Sequence, residues 1–300
     1  MPDLELSVTI CSWNTIEDTR ACLQSLENVR DELPFEVILI DNNSEDSSAE
    51  MVESEFPWVR LYKLQRNLGF TGGHNYALER ILGKHAFLLN SDAVVYPGTL
   101  STLVEFADKN PDVGIVGPKI LNPDGSLQLS CRTFPNPIAA LFRSTPIGKL
   151  FPNSRVLRDY LMTDWSHDSS REVDWVSGAA MLISETHLTK AGALDPDYFM
   201  YCEDVDICWR SWKAGLKVIY LPSAVCTHAI GRSTDKAVNT MLLRHHKSML
   251  LFYKKNMLPQ RFFVLRPLLY AGAAAALALR MGVLVTKNKR DAFRRRMAAK

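Results

Sequence analysis

The chain has 300 residues, 47% hydrophobic and 23% charged, which is enough apolar material for a large folded core and leaves no compositional bias toward disorder. Formal net charge is +2, but residues 287–300 hold seven Lys/Arg against one Asp, so the body before them sums to −4, which argues against nucleic acid as a partner. The six cysteines form no Cys-x-x-Cys pair and several lie in apolar runs, which points to free thiols rather than disulfides or a zinc site.

The first ten residues, MPDLELSVTI, carry acidic side chains where an export signal carries basic ones, so the expectation is a cytoplasmic protein. Residues 7–13 (SVTICSW) read as a strand, and Asn14-Thr15-Ile16-Glu17 then offers a helix N-cap. Residues 35–40 (FEVILI) are the next strand, followed by a polar turn at 41–48 and a short helix. A third strand at 59–64 leads into "RNLGFTGGHNYALERIL", a glycine-rich loop opening a helix, and a fourth at 86–89 stops abruptly at Asn90-Ser91-Asp92. Strands separated by helices in this rhythm predict an α/β fold with a mostly parallel sheet covered on both faces. In such sheets ligands bind outside the carboxyl ends of the strands. Those ends are all polar here: Trp13-Asn14, Asp41-Asn42, Arg66-Asn67 and Asn90-Ser91-Asp92.

The second half is less regular. Residues 111–118 suggest a strand, "LNPDGSLQL" a hairpin, and 132–171 an irregular segment covering one side of a cleft. Residues 173–183 (VDWVSGAAMLI) read as one strand, "DPDYFMYCEDVDICWRSWKAG" as an acidic turn entering a helix, 216–221 as a strand and 234–255 as a helix. This gives a main domain over 1–256, with a nucleotide-binding half at 1–117 and an acceptor-side half at 118–256, and a helical appendage at 257–300.

An Asn-x-Asp pair ending a buried strand offers oxygens to a hard divalent cation that also binds phosphates, although the same residues also stabilise turns. Glu203-Asp204-x-Asp206 at a helix start could supply a general base or could cap the helix. No GxGxxG and no GxxxxGK[ST] is present, which counts against dinucleotide and P-loop sites.

Seven motifs in fixed order, "VTICSWN", "VILIDNNSEDSS", "RNLGFTGGHNYAL", "FLLNSDAVV", "WVSGAAMLI", "FMYCEDVDICWR" and "THAIGRS", resemble the inverting, metal-dependent glycosyltransferases of family 2, and most of all their bacterial rhamnosyltransferase-like branch. The resemblance spans residues 6–256 and implies a GT-A fold with a Rossmann-like sheet. It implies that Trp13, Asn14, Asp41 and Asn42 hold the base and ribose of a dTDP- or UDP-linked sugar, bordered by Arg66, Asn67, Gly69, Asn90 and Ser91. Asp92 and His228 would bind Mg²⁺ or Mn²⁺, and Asp204 would be the catalytic base. Trp175, Gly178 and Glu203 would line the acceptor side, for a glycan or a polyprenyl-diphosphate-linked acceptor. Many relatives have Asp where Asn90 stands, and an amide is a weaker ligand for a hard cation, which leaves Asn90 either a metal ligand or a contact to sugar or ribose. A nucleotidyltransferase would show a basic glycine-rich loop near the first strand, and "CSWNTIED" is neither basic nor glycine-rich. A catalytically inactive glycan-binding protein of the same fold is disfavoured by the joint presence of Asp92, Asp204 and His228.

After Pro267, "LLYAGAAAALALRMGVLVT" is about long enough to span a bilayer but contains Arg280. A span would put the basic tail outside, against the positive-inside tendency, so the expectation is an interfacial helix at the inner face of the plasma membrane; packing on protein is the alternative.

Overall fold

The structure, a computed structural model, describes residues 4–135, 154–229 and 238–298. Residues 136–153 of the irregular 132–171 segment and the "IGRS" of the last motif therefore lie outside the described residues. In chain order the strands are β1 (Leu6–Ser12), β2 (Phe35–Asp41), β3 (Arg60–Lys63), β4 (His85–Asn90), β5 (Ala93–Val95), β6 (Val113–Leu121), β7 (Leu127–Gln128), β8 (Cys131–Arg132), β9 (Arg171–Glu172), β10 (Trp175–Val176), β11 (Ala180–Ile183) and β12 (Lys217–His228). The helices are α1 (Ile16–Glu27), α2 (Ser48–Glu55), α3 (Gly69–Leu78), α4 (Thr99–Lys109), α5 (Arg155–Leu161), α6 (Glu185–Ala191), α7 (Glu203–Lys213), α8 (Val238–Phe252) and α9 (Arg266–Ala298). They form two compact units: Met1–Arg132 with Trp165–Asp235, and Thr133–Asp164 with Lys236–Lys300.

The first unit is built on one sheet of order β3-β2-β1-β4-β11-β6-β12-β5, with β7 and β9 added at β6 and β12. This is the α/β architecture the strand–helix rhythm predicts. β1, β2, β3 and β4 are parallel, and β1 lies between β2 and β4, so the strand order reverses there. That reversal opens a crevice at the carboxyl ends. The register brings those ends level, with Ser12 opposite Asp41 and Cys11 opposite Asn90. β2 is apolar throughout because both its faces are covered: Val37 and Leu39 pack with Leu23, Leu26 and Val52, while Ile38 and Ile40 pack with Ala77 of α3.

Two local expectations change. Residues 173–183 are two strands in different sheets: β10 pairs with β8 in a separate ribbon, and β11 enters the main sheet antiparallel to β4 and β6. The Ser177–Ala179 turn divides them. Asn14 does not cap α1; its backbone is left-handed (φ 54) and its Oδ1 accepts the Glu45 amide at 2.7 Å. Asp46 Oδ2 takes the Ile16 amide instead, at 3.0 Å. All six cysteines are free, as expected.

In the second unit α8 is followed by irregular helical turns and then α9, the long apolar helix. Phe134 stacks on Phe252 with ring centroids 6.4 Å apart. Residues 238–256, which the sequence attaches to the main domain, pack in this unit with α9.

Candidate active site

The strand ends of the first unit collect most of the residues singled out from the sequence. Asp41 closes β2. It is buried, one carboxylate oxygen accepts the Ser44 amide at 3.2 Å, and the other has no partner among the described residues. A buried oxygen left unmatched costs free energy unless a ligand supplies an N–H. Trp13, 38% exposed at the end of β1, offers a ring at the same edge.

Asn42 is spent within the protein. Its Nδ2 donates to Asn67 Oδ1 at 3.1 Å and Gly69 O at 3.0 Å, and its Oδ1 accepts the Leu68 amide at 2.7 Å. Asn67 Oδ1 also accepts the Gly69 amide at 2.8 Å. These two amides shape the loop that opens α3 and bracket the pocket through backbone. Gly69 is left-handed (φ 76), and a Cβ there would lie 2.3 Å from Phe199 O, so this close approach demands glycine. Arg66 is exposed at the loop's start.

A buried hydroxyl cluster supports the fourth strand end. Thr15 Oγ1 lies 3.1 Å from both Ser12 Oγ and Ser91 Oγ, so Ser91 faces inward to brace the turn. On either side of it, Asn90 and Asp92 face His228 of β12. His228 Nε2 is 3.2 Å from Asp92 Oδ1 and 3.1 Å from Asn90 Nδ2. Its Nδ1 is 2.9 Å from Gln128 Oε1. Gln128 Nε2 already donates to Asn122 Oδ1 and to His228 O, at 3.0 and 3.2 Å, so the Gln128 oxygen must face the ring. Nδ1 then carries the proton, and the Nε2 lone pair faces both the Asn90 amide and the Asp92 carboxylate.

A carboxylate oxygen and an imidazole lone pair side by side fit one divalent cation. No group of three or more His, Cys, Asp or Glu that could hold a metal occurs among the described residues, so a diphosphate and water would complete the shell, as Mg²⁺ and Mn²⁺ prefer.

Asp204 stands in the first turn of α7, after two successive non-glycine residues in the left-handed region, Tyr201 (φ 69) and Cys202 (φ 64). Its Oδ2 accepts the Gly178 amide at 3.2 Å and its Oδ1 the Val205 amide at 2.8 Å. Ala179, next in chain, accepts the Asn90 amide at 2.9 Å, so one short turn links the base candidate to the end of β4. Gly178 packs against Asp204 and Phe70, and a Cβ would meet each at 3.4 Å. Burial raises the Asp204 pKa, opposed by the two amides and by Arg132. Burial raises Glu203 well above the carboxylate range, and the Asp204 charge adds to it; Glu203 Oε2 is buried without a partner among the described residues. Asp206 is a brace, paired with Arg210 at 2.8 Å.

Trp175 is buried rather than presented as a sugar platform, with the Arg132 guanidinium 5.2 Å from its ring centroid. Sequence reasoning missed Gln128 and Arg132. Only strand pairing reveals them, Gln128 through β7 against β6 and Arg132 opposite Trp175.

Comparison with known proteins is consistent with this geometry. The family described as "Glycosyltransferase like family 2" matches residues 2–244. The N-acetylglucosaminyl-diphospho-decaprenol L-rhamnosyltransferase of Mycobacterium tuberculosis is 32% identical over 233 residues, 74% of this chain and 75% of that protein. A low-salt glycan biosynthesis hexosyltransferase of Haloferax volcanii is 22% identical over 71% of this chain and 64% of its own length. Among solved structures, a Pyrobaculum calidifontis mannosyltransferase in complex with GDP-Man and Mn²⁺ superimposes with TM-score 0.57 at 17% identity, covering 96% of this chain and 80% of that one. GalNAc-T7, solved with UDP, GalNAc and Mn²⁺, gives TM-score 0.57 at 15% identity over 86% of this chain, which spans about half (52%) of that protein.

Proposed function

Given that this chain belongs to glycosyltransferase-like family 2 and is a transferase, we propose that it transfers a hexosyl group from a nucleotide-sugar to a lipid-linked glycan acceptor with inversion at the anomeric carbon. The specific reading is L-rhamnosyl from a dTDP-linked donor onto a polyprenyl-diphosphate-linked acceptor, in cell-envelope polysaccharide synthesis at the inner face of the plasma membrane. Identity to the mycobacterial rhamnosyltransferase over most of both chains supports it.

The observation that carries the reading is the edge where Asp41, with its unmatched oxygen, ends β2 and Asp92, just past the end of β4, meets His228 at the end of β12, with Asp204 tied to that edge through Gly178 and Ala179. Asp41 accepts an N–H from the pyrimidine base while Trp13 covers the ring. Asp92 and His228 hold the divalent cation, which when bound neutralises the departing diphosphate. Asp204 takes the proton of the acceptor hydroxyl as that oxygen bonds to the anomeric carbon and the bond to the diphosphate breaks. A carboxylate raised by burial is a stronger base than a solvated one, which suits that task.

Calorimetry with dTDP and UDP, with and without Mg²⁺ or Mn²⁺, tests the assignment alongside turnover. Asp92→Ala should abolish the cation-dependent gain in nucleoside diphosphate affinity. Asp204→Asn should bind donor normally and lose roughly 10²- to 10⁴-fold in turnover. Undiminished binding by Asp92→Ala in saturating Mg²⁺ would remove the metal role, and near-normal turnover of Asp204→Asn would remove the base.

A further inference from the structure

The second unit carries a surface the transfer reaction does not use. Immediately before α9, Phe262, Phe263 and Val264 are 84%, 76% and 70% exposed, three of the four largest exposures of a large apolar side chain among the described residues, Leu268 of α9 being the other at 73%. They are held in an ordered turn. Leu265 N donates to Phe262 O at 3.0 Å, and Arg266 clamps the base of the loop by donating to Arg261 O at 3.0 Å and Pro259 O at 2.8 Å. The tip is therefore preorganised to present its rings outward.

α9 continues this apolar surface. Between Arg266 and Lys287 the sole charged residue is Arg280. Arg280 is buried and its guanidinium contacts Met249 Sδ of α8 at 3.6 Å; Ala273, two turns earlier on the same face, is buried as well. The opposite face exposes Leu268, Ala271, Ala275, Ala278, Leu279 and Gly282, an uncharged stripe about 20 Å long. Arg280, which in the sequence counts against a span, thus points into the protein and leaves the outer face free of charge.

The surroundings of this stripe are basic far beyond the final tail. Residues 236–300 contain fifteen Lys/Arg and one acidic residue, Asp291, a net of +14, which leaves −12 for residues 1–235. Lys254, Lys255, Arg261 and Arg266 precede the apolar stretch, and Lys287, Lys289 and Arg290 follow it. An exposed apolar surface rimmed by cations fits a partner with an apolar interior and an anionic surface.

We propose that Phe262–Leu265 and the outer stripe of α9 form an in-plane docking surface for an anionic lipid bilayer, with the phenylalanine tip inserted below the headgroups. Phe263–Thr286, 24 residues, is long and apolar enough to cross a membrane by length and composition. Two observations favour lying in the interface. One face of the helix is covered by α8, and both ends of the apolar stretch are strongly basic, so a span would place one cationic cluster on the wrong side.

The test is sedimentation of the full chain with phosphatidylcholine vesicles, with and without phosphatidylglycerol, in the absence of donor, acceptor and metal. It therefore stands or falls separately from the sugar-transfer reading. Phosphatidylglycerol should strengthen partitioning at least tenfold, roughly fivefold being expected for each charge brought near the surface, and high salt should erase that gain. The double substitution Phe262→Asp, Phe263→Asp should weaken binding to both vesicles by roughly 10²-fold. Leu279→Glu, on the exposed stripe one residue from Arg280, should do so less strongly with an unchanged melting temperature. Indifference to phosphatidylglycerol, or wild-type binding by both variants, would overturn the docking surface. Retention in membranes through an alkaline carbonate wash would overturn the in-plane orientation and assign a span.

Discussion

His228 has one ring nitrogen committed to Gln128 and the other aimed at Asp92, and the proposed role as a metal ligand rests on this division of labour. Replacing Gln128 with Met keeps the volume and removes the acceptor, so the proton is no longer held on Nδ1. Cation-dependent nucleoside diphosphate affinity should fall by about 10- to 100-fold in Gln128→Met, while cation-free binding stays as it was and Gln128→Glu retains affinity. Calorimetry at matched Mn²⁺ reads the difference, and equal affinities would reduce Gln128 to a strand-pairing residue. At this scale the sequence is informative wherever an apolar run ends on a carboxylate, which is how Asp41 and Asp92 stand out. It is silent on Gln128 and Arg132, because neither ends a run and their partners lie 100 and 43 positions away at His228 and Trp175. Asn42 shows the intermediate case: its place at a strand end is legible, but its work in clamping Asn67 and Gly69 follows only from the folded loop.

Helix α7 concentrates three carboxylates in its first turn, Glu203, Asp204 and Asp206, where the helix dipole favours negative charge. Burial opposes that preference, and for Glu203 burial wins. A carboxyl whose native pKa is raised binds its proton more tightly folded than unfolded. Its contribution is present below the unfolded value near 4.3 and is lost as pH rises through the native value. Wild-type stability should therefore decline through that window by up to about 1.4 kcal/mol per pH unit from this group. Glu203→Gln cannot titrate, so its stability relative to wild type should increase between about pH 5 and about pH 8 in urea unfolding. A constant difference across that range would show Glu203 ionised and satisfied. The elements themselves were legible where apolar runs of strand length alternate with helical spacing, as from β1 to β4. The division of residues 173–183 was not, since a strand buried on both faces reads the same whichever way it runs, and the Ser177–Ala179 turn is nearly as apolar as its flanks.

Over the whole molecule a net charge of +2 conceals two opposite populations, and the boundary between them is structural. The run of Lys/Arg after residue 286 draws the eye in the sequence, but Lys236–Lys300 belong to one folded unit and the excess positive charge begins there. The cysteines divide along the same line, for all six lie in the first unit. Burial pushes the Cys11, Cys131 and Cys226 thiols up to about 12, so at neutral pH almost none is present as the reactive thiolate. Alkylating reagents can then reach the buried thiols, all but the half-buried Cys11, only when the transferase unit opens, and the pace of their modification becomes a clock for that opening. Cys11 lies 3.4 Å from the Asn42 amide and Cys22 3.6 Å from Asn90 O, beside the strand ends proposed to bind the donor. Nucleoside diphosphate with Mn²⁺ should slow the modification of these two, read peptide by peptide by mass spectrometry, before any sugar or acceptor has been identified.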